Sequence, residues 1–273
     1  MLTLETPVRG RVDAKRLDWL EARTVSPVPM PTGLPLRHEE DAEGVVASVF
    51  LDVRRRMPFV PALFKALAHD PDALLAAWLQ ARAIYDDPRV GAATQAIRQS
   101  ARAELGYRPS RQVFETVAPF VAELPSMLLI VTSLQLSLDG ELSLQSPPSP
   151  DLPEPAAVPE PEFSDRGEHP LFAEICTVYG TQHLPSIFRS LAARGVLEEA
   201  WGAIGPVLAS PDGAAMVARV AGEVDNQARA LPEVASFDIQ RARPVLDQFE
   251  RALPRNLIVA VAGSATKAAD RAT

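Results

Sequence analysis

A short segment occurs twice in the chain, and this near repeat constrains the fold more than any other feature of the sequence. Residues 59–68 are FVPALFKALA, and residues 183–192 are HLPSIFRSLA. Each copy places a proline at the start of an apolar, basic run that favours a helix. Neither copy contains a carboxylate, a side-chain amide or a thiol. The near repeat predicts that the chain carries one helical unit twice.

The register between the two copies continues along the chain. Trp78 falls on Trp201, and after a small gap FVAELPSMLLI (residues 120–130) falls on FERALPRNLIV (residues 249–259). We therefore predict two helical halves related by an approximate twofold axis, as in a fused version of an isologous dimer. Short helices rich in Leu and Ala also resemble one another by chance, so coincidence stays open as an alternative.

Proline-rich stretches mark the boundaries between these halves. TVSPVPMPTGLPL (residues 24–36) and SPPSPDLPEPAAVPEP (residues 146–161) are too rich in Pro to be helical, because each Pro lacks an amide donor. The rest of the chain has helical periodicity, which predicts an all-α fold. The predicted parts are a proline-rich N-terminal arm, a first helical repeat, a proline-rich linker and a second helical repeat, at residues 1–44, 45–142, 143–169 and 170–273.

Side chains that cap helices stand before three of the prolines. Asp70, Asp87 and Ser210 each precede a Pro, and each pair predicts a helix start, because the side-chain oxygen accepts a first-turn amide and Pro fits the first helical position. The periodic positions of Trp78 and Trp201 predict that both side chains lie on buried helical stripes.

Composition excludes several classes of protein. The chain has 35 acidic against 27 basic residues and no basic stripe, which argues against nucleic-acid binding. Cys176 is the single cysteine, so an intramolecular disulfide is excluded and a reducing, cytoplasmic location is predicted. The apolar windows at residues 127–138 and 257–262 are shorter than a membrane span, so we expect no membrane contact. The four His residues lack the spacing of a zinc site, and we predict neither a metal nor a cofactor.

An interface between two helical halves is a natural place for a small-molecule pocket. The apolar residues of the repeated segment are the candidates for its walls. They are Phe59, Leu63, Phe64, Ile187 and Phe188. A dry interface without a pocket is an equally open alternative.

The order of these segments resembles the group I, non-stereoselective 2-haloacid dehalogenases. The resemblance rests on VRRRMPFVPALFKALA before a helix with Trp78, on FVAELPSMLLI, and on YGTQHLPSIFRSLA, and it covers about residues 45–265. It implies an all-helical pseudo-dimer with some likeness to the AhpD-like helical fold. It also implies a hydrolytic reaction in which water attacks C2 of a 2-haloacid and expels halide.

The residues that the resemblance marks as catalytic are changed in this chain. In the family, an Asp within Ser-Asp-Phe activates the water, whereas this chain has Ile187 between Ser186 and Phe188. The family's Asn-containing stretch corresponds to FVAELP, which places the apolar Val121 and Leu124 at the amide positions. The resemblance therefore implies a divergent homologue with altered or lost dehalogenase activity.

Other polar residues are candidates to replace the missing groups. Glu123 is a candidate base, although a solvated carboxylate at a helix end is the expectation for it, and His183 is a candidate to hold a water or an anion. Tyr179 and Gln182 are candidates to orient a ligand. Lys65 and Arg189 are candidates to attract a carboxylate, with a surface position as the expectation. The full predicted ligand-binding set is Phe59, Leu63, Phe64, Val121, Leu124, Tyr179, Ser186, Ile187 and Phe188.

Three functions stay open at this point. The first is the divergent dehalogenase, and the second is a small-molecule binding protein with a pocket between the repeats, whose ligand we expect to be a small molecule such as a small carboxylic acid. The third is a non-catalytic helical protein that engages a partner through its proline arms. Homodimer formation is an additional open alternative.

Overall fold

The computed structural model describes residues 34–103, 106–140, 151–159, 169–181, 183–231 and 239–265. The regular structure in these ranges is entirely helical, which confirms the all-α prediction. The chain divides into two units, Met1–Pro31 and Thr32–Thr273, and the first lies outside the described residues. The α-helices of the described ranges are α1 (Gly44–Arg54), α2 (Ala62–Leu67), α3 (Pro71–Tyr85), α4 (Val90–Ser100), α5 (Arg111–Leu138), α6 (Phe172–Tyr179), α7 (Ser186–Ala193), α8 (Leu197–Leu208), α9 (Pro211–Ala230) and α10 (Arg243–Gly263).

The helix order of the first half recurs in the second half. The two copies of the repeated segment form α2 and α7, and the matched residues Trp78 and Trp201 lie on the next helices, α3 and α8. The matched stretches at residues 120–130 and 249–259 lie within α5 and α10. Helices α2, α3 and α5 thus occur in the same order as α7, α8 and α10, whereas the internal repeat and its twofold relation stay predictions.

Helices α5 and α10 form the most extensive contact between any two described helices, and they run antiparallel. Gln135 near the end of α5 donates from Nε2 to Asp247 Oδ1 near the start of α10 at 2.8 Å. At the other end of the pair, Gly263 lies against Val117, so close that a β-carbon at position 263 would come within 3.1 Å of the valine side chain. This pairing sets the spacing of the two halves.

Both long helices contain a proline at the matched position, Pro125 in α5 and Pro254 in α10. Because Pro has no amide hydrogen, Pro125 leaves the carbonyl of Val121 without its helical donor. Arg98 of α4 replaces that donor, since its Nε donates to the Val121 carbonyl at 3.3 Å. The helix therefore continues through the proline with its free carbonyl satisfied.

In the first half, α1, α2 and α3 are joined around the indole of Trp78. Asp52 of α1 is 3% exposed, and its Oδ2 accepts a hydrogen bond from Trp78 Nε1 at 2.9 Å. Arg56 and Arg82 also donate to this carboxylate, at 2.8 and 3.3 Å. The ring of Phe64 on α2 meets the indole edge to face, with centroids 5.2 Å apart. A buried charge, two cations and two rings thereby fix the three helices together.

The second half has a similar arrangement, in which the acidic side chain that accepts from the indole is exposed. Trp201 Nε1 on α8 donates to Glu174 Oε1 on α6 at 2.7 Å, and the ring of Phe188 on α7 meets the indole edge to face at 5.5 Å. Glu174 is exposed, unlike its counterpart in the first half. The ring contact is therefore the common part of the two arrangements.

Two of the three predicted helix starts are confirmed. The side chains of Asp70 and Ser210 each accept a first-turn amide at 3.2 Å, and a helix begins at the Pro that follows. The third prediction is wrong by two residues, because α4 begins at Val90. Asp87 instead accepts the backbone amide of Arg89 at 2.8 Å, which closes a turn before the helix.

The described part of the linker, residues 151–159, has no regular secondary structure. The carbonyl of Asp151 accepts from Arg82 of α3 at 3.1 Å, and Val158 is buried. The linker therefore contacts α3 at Asp151 and buries one side chain, that of Val158. The prolines before residue 34 lie outside the described residues, so the predicted partner contact through the N-terminal arm stays a prediction.

Helix α5 is the one described helix with the length and apolar composition that a membrane span needs. Within its most apolar stretch, however, 72% of the residues are buried inside the protein. A helix that is covered on all sides by other helices has this composition without any contact with lipid. The composition of α5 is therefore that of a core helix.

We predict that Asp52→Ala lowers the free energy of unfolding by about 3 kcal/mol, because it leaves the indole and arginine donors of the first half without their buried acceptor. Glu174→Ala is the matched control, and its loss should be about 1 kcal/mol, because the exposed Glu174 carboxylate accepts from one neutral donor, the Trp201 indole. Urea unfolding measures both values. Equal losses would contradict the proposed difference between the two halves.

We predict that Gly213→Ala costs about 1–3 kcal/mol, because a β-carbon there would collide with the backbone at the end of α8, 2.7 Å from Leu208 Cα. Gly222 lies in the same helix with nothing within 4 Å of the added carbon. Gly222→Ala should therefore raise stability by about 0.5–1 kcal/mol, the ordinary helix preference. Thermal unfolding of the two variants measures both stability changes, which should have opposite signs. A Gly213→Ala protein more stable than the wild type would contradict the close approach of position 213 to Leu208.

Candidate functional site

A cavity of about 60 Å³ lies where four segments meet. A water molecule needs roughly 10–15 Å³ by this measure, so the cavity holds a few waters or one small organic molecule. Its walls come from α2 and the residues before it, from α5, from the start of α7 and the residues before it, and from α10. The lining residues are Phe59, Pro61, Ala62, Leu63, Phe120, Glu123, Leu124, Met127, Thr181, His183, Pro185, Ser186, Ile187, Gln248, Phe249, Ala252, Leu253 and Asn256.

The lining residues come in matched pairs from the two halves. The register of the repeated segment pairs Leu63 with Ile187, and the register of the long helices pairs Leu124 with Leu253; all four side chains line the cavity. The same registers pair six further lining residues with six others. These pairs are Phe59 with His183, Pro61 with Pro185, Ala62 with Ser186, Phe120 with Phe249, Glu123 with Ala252 and Met127 with Asn256.

Polar side chains occupy only one member of a pair. Glu123 is matched by an alanine, Asn256 by a methionine and His183 by a phenylalanine. The cavity thus has apolar walls with a few polar groups, an arrangement typical of small-molecule sites.

Glu123 lies in the middle of α5, so the expected position at a solvated helix end is wrong. Its side chain is partly buried, and this burial raises the pKa of the Glu123 carboxyl, with a hydrogen bond to Tyr85 acting in the opposite direction. The Tyr85 hydroxyl oxygen is 3.3 Å from Glu123 Oε2 and 2.8 Å from the carbonyl of Arg56. Burial and the nearby Glu123 charge raise the pKa of Tyr85 to about 12, so its hydroxyl keeps its hydrogen.

Asn256 is 7% exposed, and its Oδ1 has no hydrogen-bond partner among the residues that the structure describes. A buried amide oxygen without a hydrogen-bond partner is less stable than the same group in water. Asn256 therefore favours the binding of a ligand or a water molecule in the cavity. On the other wall, the imidazole of His183 lies beside the ring of Phe249, with centroids 6.0 Å apart. The backbone amide of His183 donates to Thr181 Oγ1 at 3.1 Å.

The structure brings most of the sequence-predicted residues to this cavity. Five of the predicted ligand-binding residues line it, namely Phe59, Leu63, Leu124, Ser186 and Ile187, together with the candidate substitutes Glu123 and His183. Ile187 is 2% exposed. Ligand contact by these residues stays a prediction, since a wall position alone does not establish binding.

Four of the predicted ligand-binding residues do not line the cavity. Phe64 and Phe188 turn toward the tryptophans of their own halves, and the fully buried Tyr179 packs edge to face on Phe188 at 5.4 Å. Val121 contributes its carbonyl to Arg98 and lies off the wall. Gln182 lies outside the described residues.

Neither of the two predicted cations lines the cavity. Lys65 is 4% exposed and forms an ion pair with Glu39 at 2.8 Å, so its expected surface position is wrong. The guanidinium of Arg189 lies over the ring of Phe172 at 5.7 Å.

The sequence analysis missed the wall that α10 contributes. Phe249, Ala252, Leu253 and Asn256 are the register partners of cavity residues on α5, so the repeat contained the signal for them. The polar residue Gln248 has no lining partner, and no sequence signal marks it.

Within the described residues, His38, Glu39 and Glu40 form the one cluster of potential metal ligands, with ligand atoms within 4.8 Å of one another. The cluster is formed by three consecutive residues, and Glu39 already pairs with a buried lysine there. None of the three lines the cavity.

Comparison with known proteins gives structural relatives only. No family model and no curated protein matches the chain. Among the solved structures that match, three have 16% identity over 87% of this chain: a D-2-haloacid dehalogenase in complex with L-LA, a D-2-haloacid dehalogenase mutant with D-2-CPA, and a D-2-halacid dehalogenase mutant. Their TM-scores are 0.65, 0.64 and 0.60, and the match covers 98%, 97% and 94% of those chains. The chain therefore has a haloacid dehalogenase-like helical fold.

Proposed function

We propose that this chain is a divergent relative of the group I haloacid dehalogenases, which binds a small molecule, such as a small carboxylic acid, in the cavity and has lost the hydrolytic chemistry. The observation that carries the proposal is Ile187, which forms part of the cavity wall at the position where the resemblance expects the catalytic Asp. An isoleucine side chain accepts no proton. Loss of a positioned general base costs about 10²–10⁴ in rate.

The proposal includes the twofold relation between the halves. The support for it is that the two sequence registers pair sixteen of the eighteen lining residues with one another. An axis through the cavity accounts for this pairing, because symmetric walls enclose a space on their axis.

Retention of a cavity supports binding over a purely structural role. A minority of the wall residues are polar. One of them is Asn256, whose buried amide oxygen has no hydrogen-bond partner among the described residues. A structural core that evolves without a ligand gains stability when such a group becomes apolar. A bound polar ligand supplies the missing hydrogen bond.

A hydrolase that uses Glu123 as its base is the second candidate. The specific observation is that Glu123 lines the same cavity as Ile187 and that burial raises the pKa of its carboxyl. A carboxylate with a raised pKa is a stronger base than an exposed one, and general bases in active sites are tuned in this direction.

We predict that the wild-type protein releases no halide from D- or L-2-chloropropionate above the uncatalysed rate, and that Ile187→Asp gains at least about 10²-fold over it, because the new carboxylate can activate water in the cavity. Halide release measures both. Leu63→Asp is the matched control, since Leu63 is the register partner of Ile187 in the same cavity. It should stay inactive if the catalytic position is in the second half only. Halide release by the wild type would contradict the loss of chemistry.

If Glu123 is instead the base, wild-type halide release should fall about 10²-fold or more in Glu123→Gln, and the activity should increase as pH rises through the pKa of Glu123. The sign follows because only the deprotonated carboxyl accepts a proton. The pH profile of halide release, compared between the two proteins, tests this candidate. A profile that is the same in Glu123→Gln would eliminate it.

A further inference from the structure

Among the residues that the structure describes, one carboxyl group and no lysine or arginine line the cavity. Glu123 is the acidic lining residue, and the other polar lining side chains are neutral, apart from the titratable imidazole of His183. A carboxylate ligand therefore meets a carboxyl group in a small, largely apolar space. Two negative charges a few ångströms apart in such surroundings repel each other strongly, so one of them takes up a proton.

The charged groups around Glu123 do not supply a compensating cation. Arg56, which follows α1, pairs with Asp86 at the end of α3 at 2.9 Å, and with Asp52 at 2.8 Å. Arg98 of α4 directs its Nε to a backbone carbonyl of α5. Across the cavity, α10 contributes uncharged lining residues, and the segment before α7 contributes His183.

Tyr85, whose hydrogen bond lowers the pKa of Glu123, gives the carboxylate only a shared hydrogen. A phenol has one hydrogen, and the Arg56 carbonyl, which can only accept, lies at 2.8 Å, nearer than Glu123 Oε2 at 3.3 Å. When the hydroxyl donates to this carbonyl, its oxygen faces Glu123 as an acceptor. A carboxylic acid can donate to that oxygen, whereas a carboxylate cannot.

We propose that Glu123 determines the ligand specificity of the cavity by sharing one proton with an acidic ligand, so that the cavity takes up a small carboxylic acid together with a proton and takes up neutral isosteres without one. The inference rests on the proposed small-molecule function of the same cavity. Glu123 acts here as a binding residue, and no covalent step is involved. Uncharged amides and alcohols of the same size bind independently of pH in the range where Glu123 titrates.

The test uses two non-hydrolysable probes, 2-methylpropanoate and 2-methylpropanamide, which have the same shape and differ in charge. Isothermal titration calorimetry of the full-length protein from pH 5 to 9 gives the Kd of each. Above the pKa of Glu123, we expect the Kd of the acid to rise about tenfold per pH unit, with uptake of about one proton, while the Kd of the amide stays constant. Buffers of different ionisation enthalpy measure the proton uptake directly.

Three variants test which wall residue shares the proton with the acidic ligand. In Glu123→Gln the acid should bind with a constant Kd, because the wall then has no charge to repel it. The double variant Glu123→Ala with Ala252→Glu moves the carboxyl to the register partner in the same cavity, and it should restore the pH dependence. His183→Gln should change the affinity but keep the slope. Circular dichroism and thermal unfolding confirm that each variant is folded.

The outcomes separate this inference from the function on which it rests. If the amide binds and the acid binds equally well from pH 5 to 9, the shared proton is refuted while the binding function stands. A slope that persists in Glu123→Gln, or disappears in His183→Gln, refutes the role of Glu123. If neither probe binds to the folded protein at any pH, the binding function and the shared proton fail together.

Discussion

The antiparallel contact between α5 and α10 is the constraint on which the rest of the structure depends. These two helices contact each other more extensively than any other two described helices do, and the hydrogen bond between Gln135 and Asp247 fixes their register. The matched prolines, Pro125 and Pro254, lie inside these two continuous helices. The cavity lies beside the same region. Its walls are completed by α2 and by the start of α7, the two copies of the repeated segment.

Each half is rigid enough to hold its part of this wall because a tryptophan joins three of its helices. The ring contacts of Trp78 with Phe64 and of Trp201 with Phe188 direct both phenylalanines away from the cavity. The next residues back along the chain, Leu63 and Ile187, then face the cavity, since neighbouring residues on a helix point about 100° apart. The tryptophan anchors and the cavity are therefore parts of one arrangement.

This coupling explains which features were predictable from the sequence. The fold class and the wall positions of Leu63 and Ile187 follow from periodicity and from the repeat, which are local or pairwise patterns. The orientation of Phe64 does not follow from these patterns, because its neighbour Leu63 is equally apolar and only the position of Trp78 distinguishes them.

Burial of Lys65 also depends on a tertiary partner, since a lone lysine is solvated and only the contact with Glu39 makes its burial favourable. The mid-helix position of Glu123 was missed because the proline that follows by two residues indicates a helix end, whereas Arg98 satisfies the freed carbonyl from another helix.

A cavity between two identical repeats would have equal walls, and equal walls cannot distinguish the two ends of an asymmetric ligand. Where a polar residue of this cavity has a register partner on the wall, that partner is apolar, as Ala252 is for Glu123 and Met127 is for Asn256. One polar substitution in each pair is enough to orient a small molecule, because the remaining apolar surface has no directional preference. The position that the resemblance marks as catalytic shows no such difference between the two halves. With Ile187 matching Leu63, that pair has kept its symmetric, apolar character, whereas hydrolysis requires a carboxylate on one side. In the proposed function, the pairs with one polar member bind and orient the ligand, and the apolar pair of Leu63 and Ile187 supplies no base.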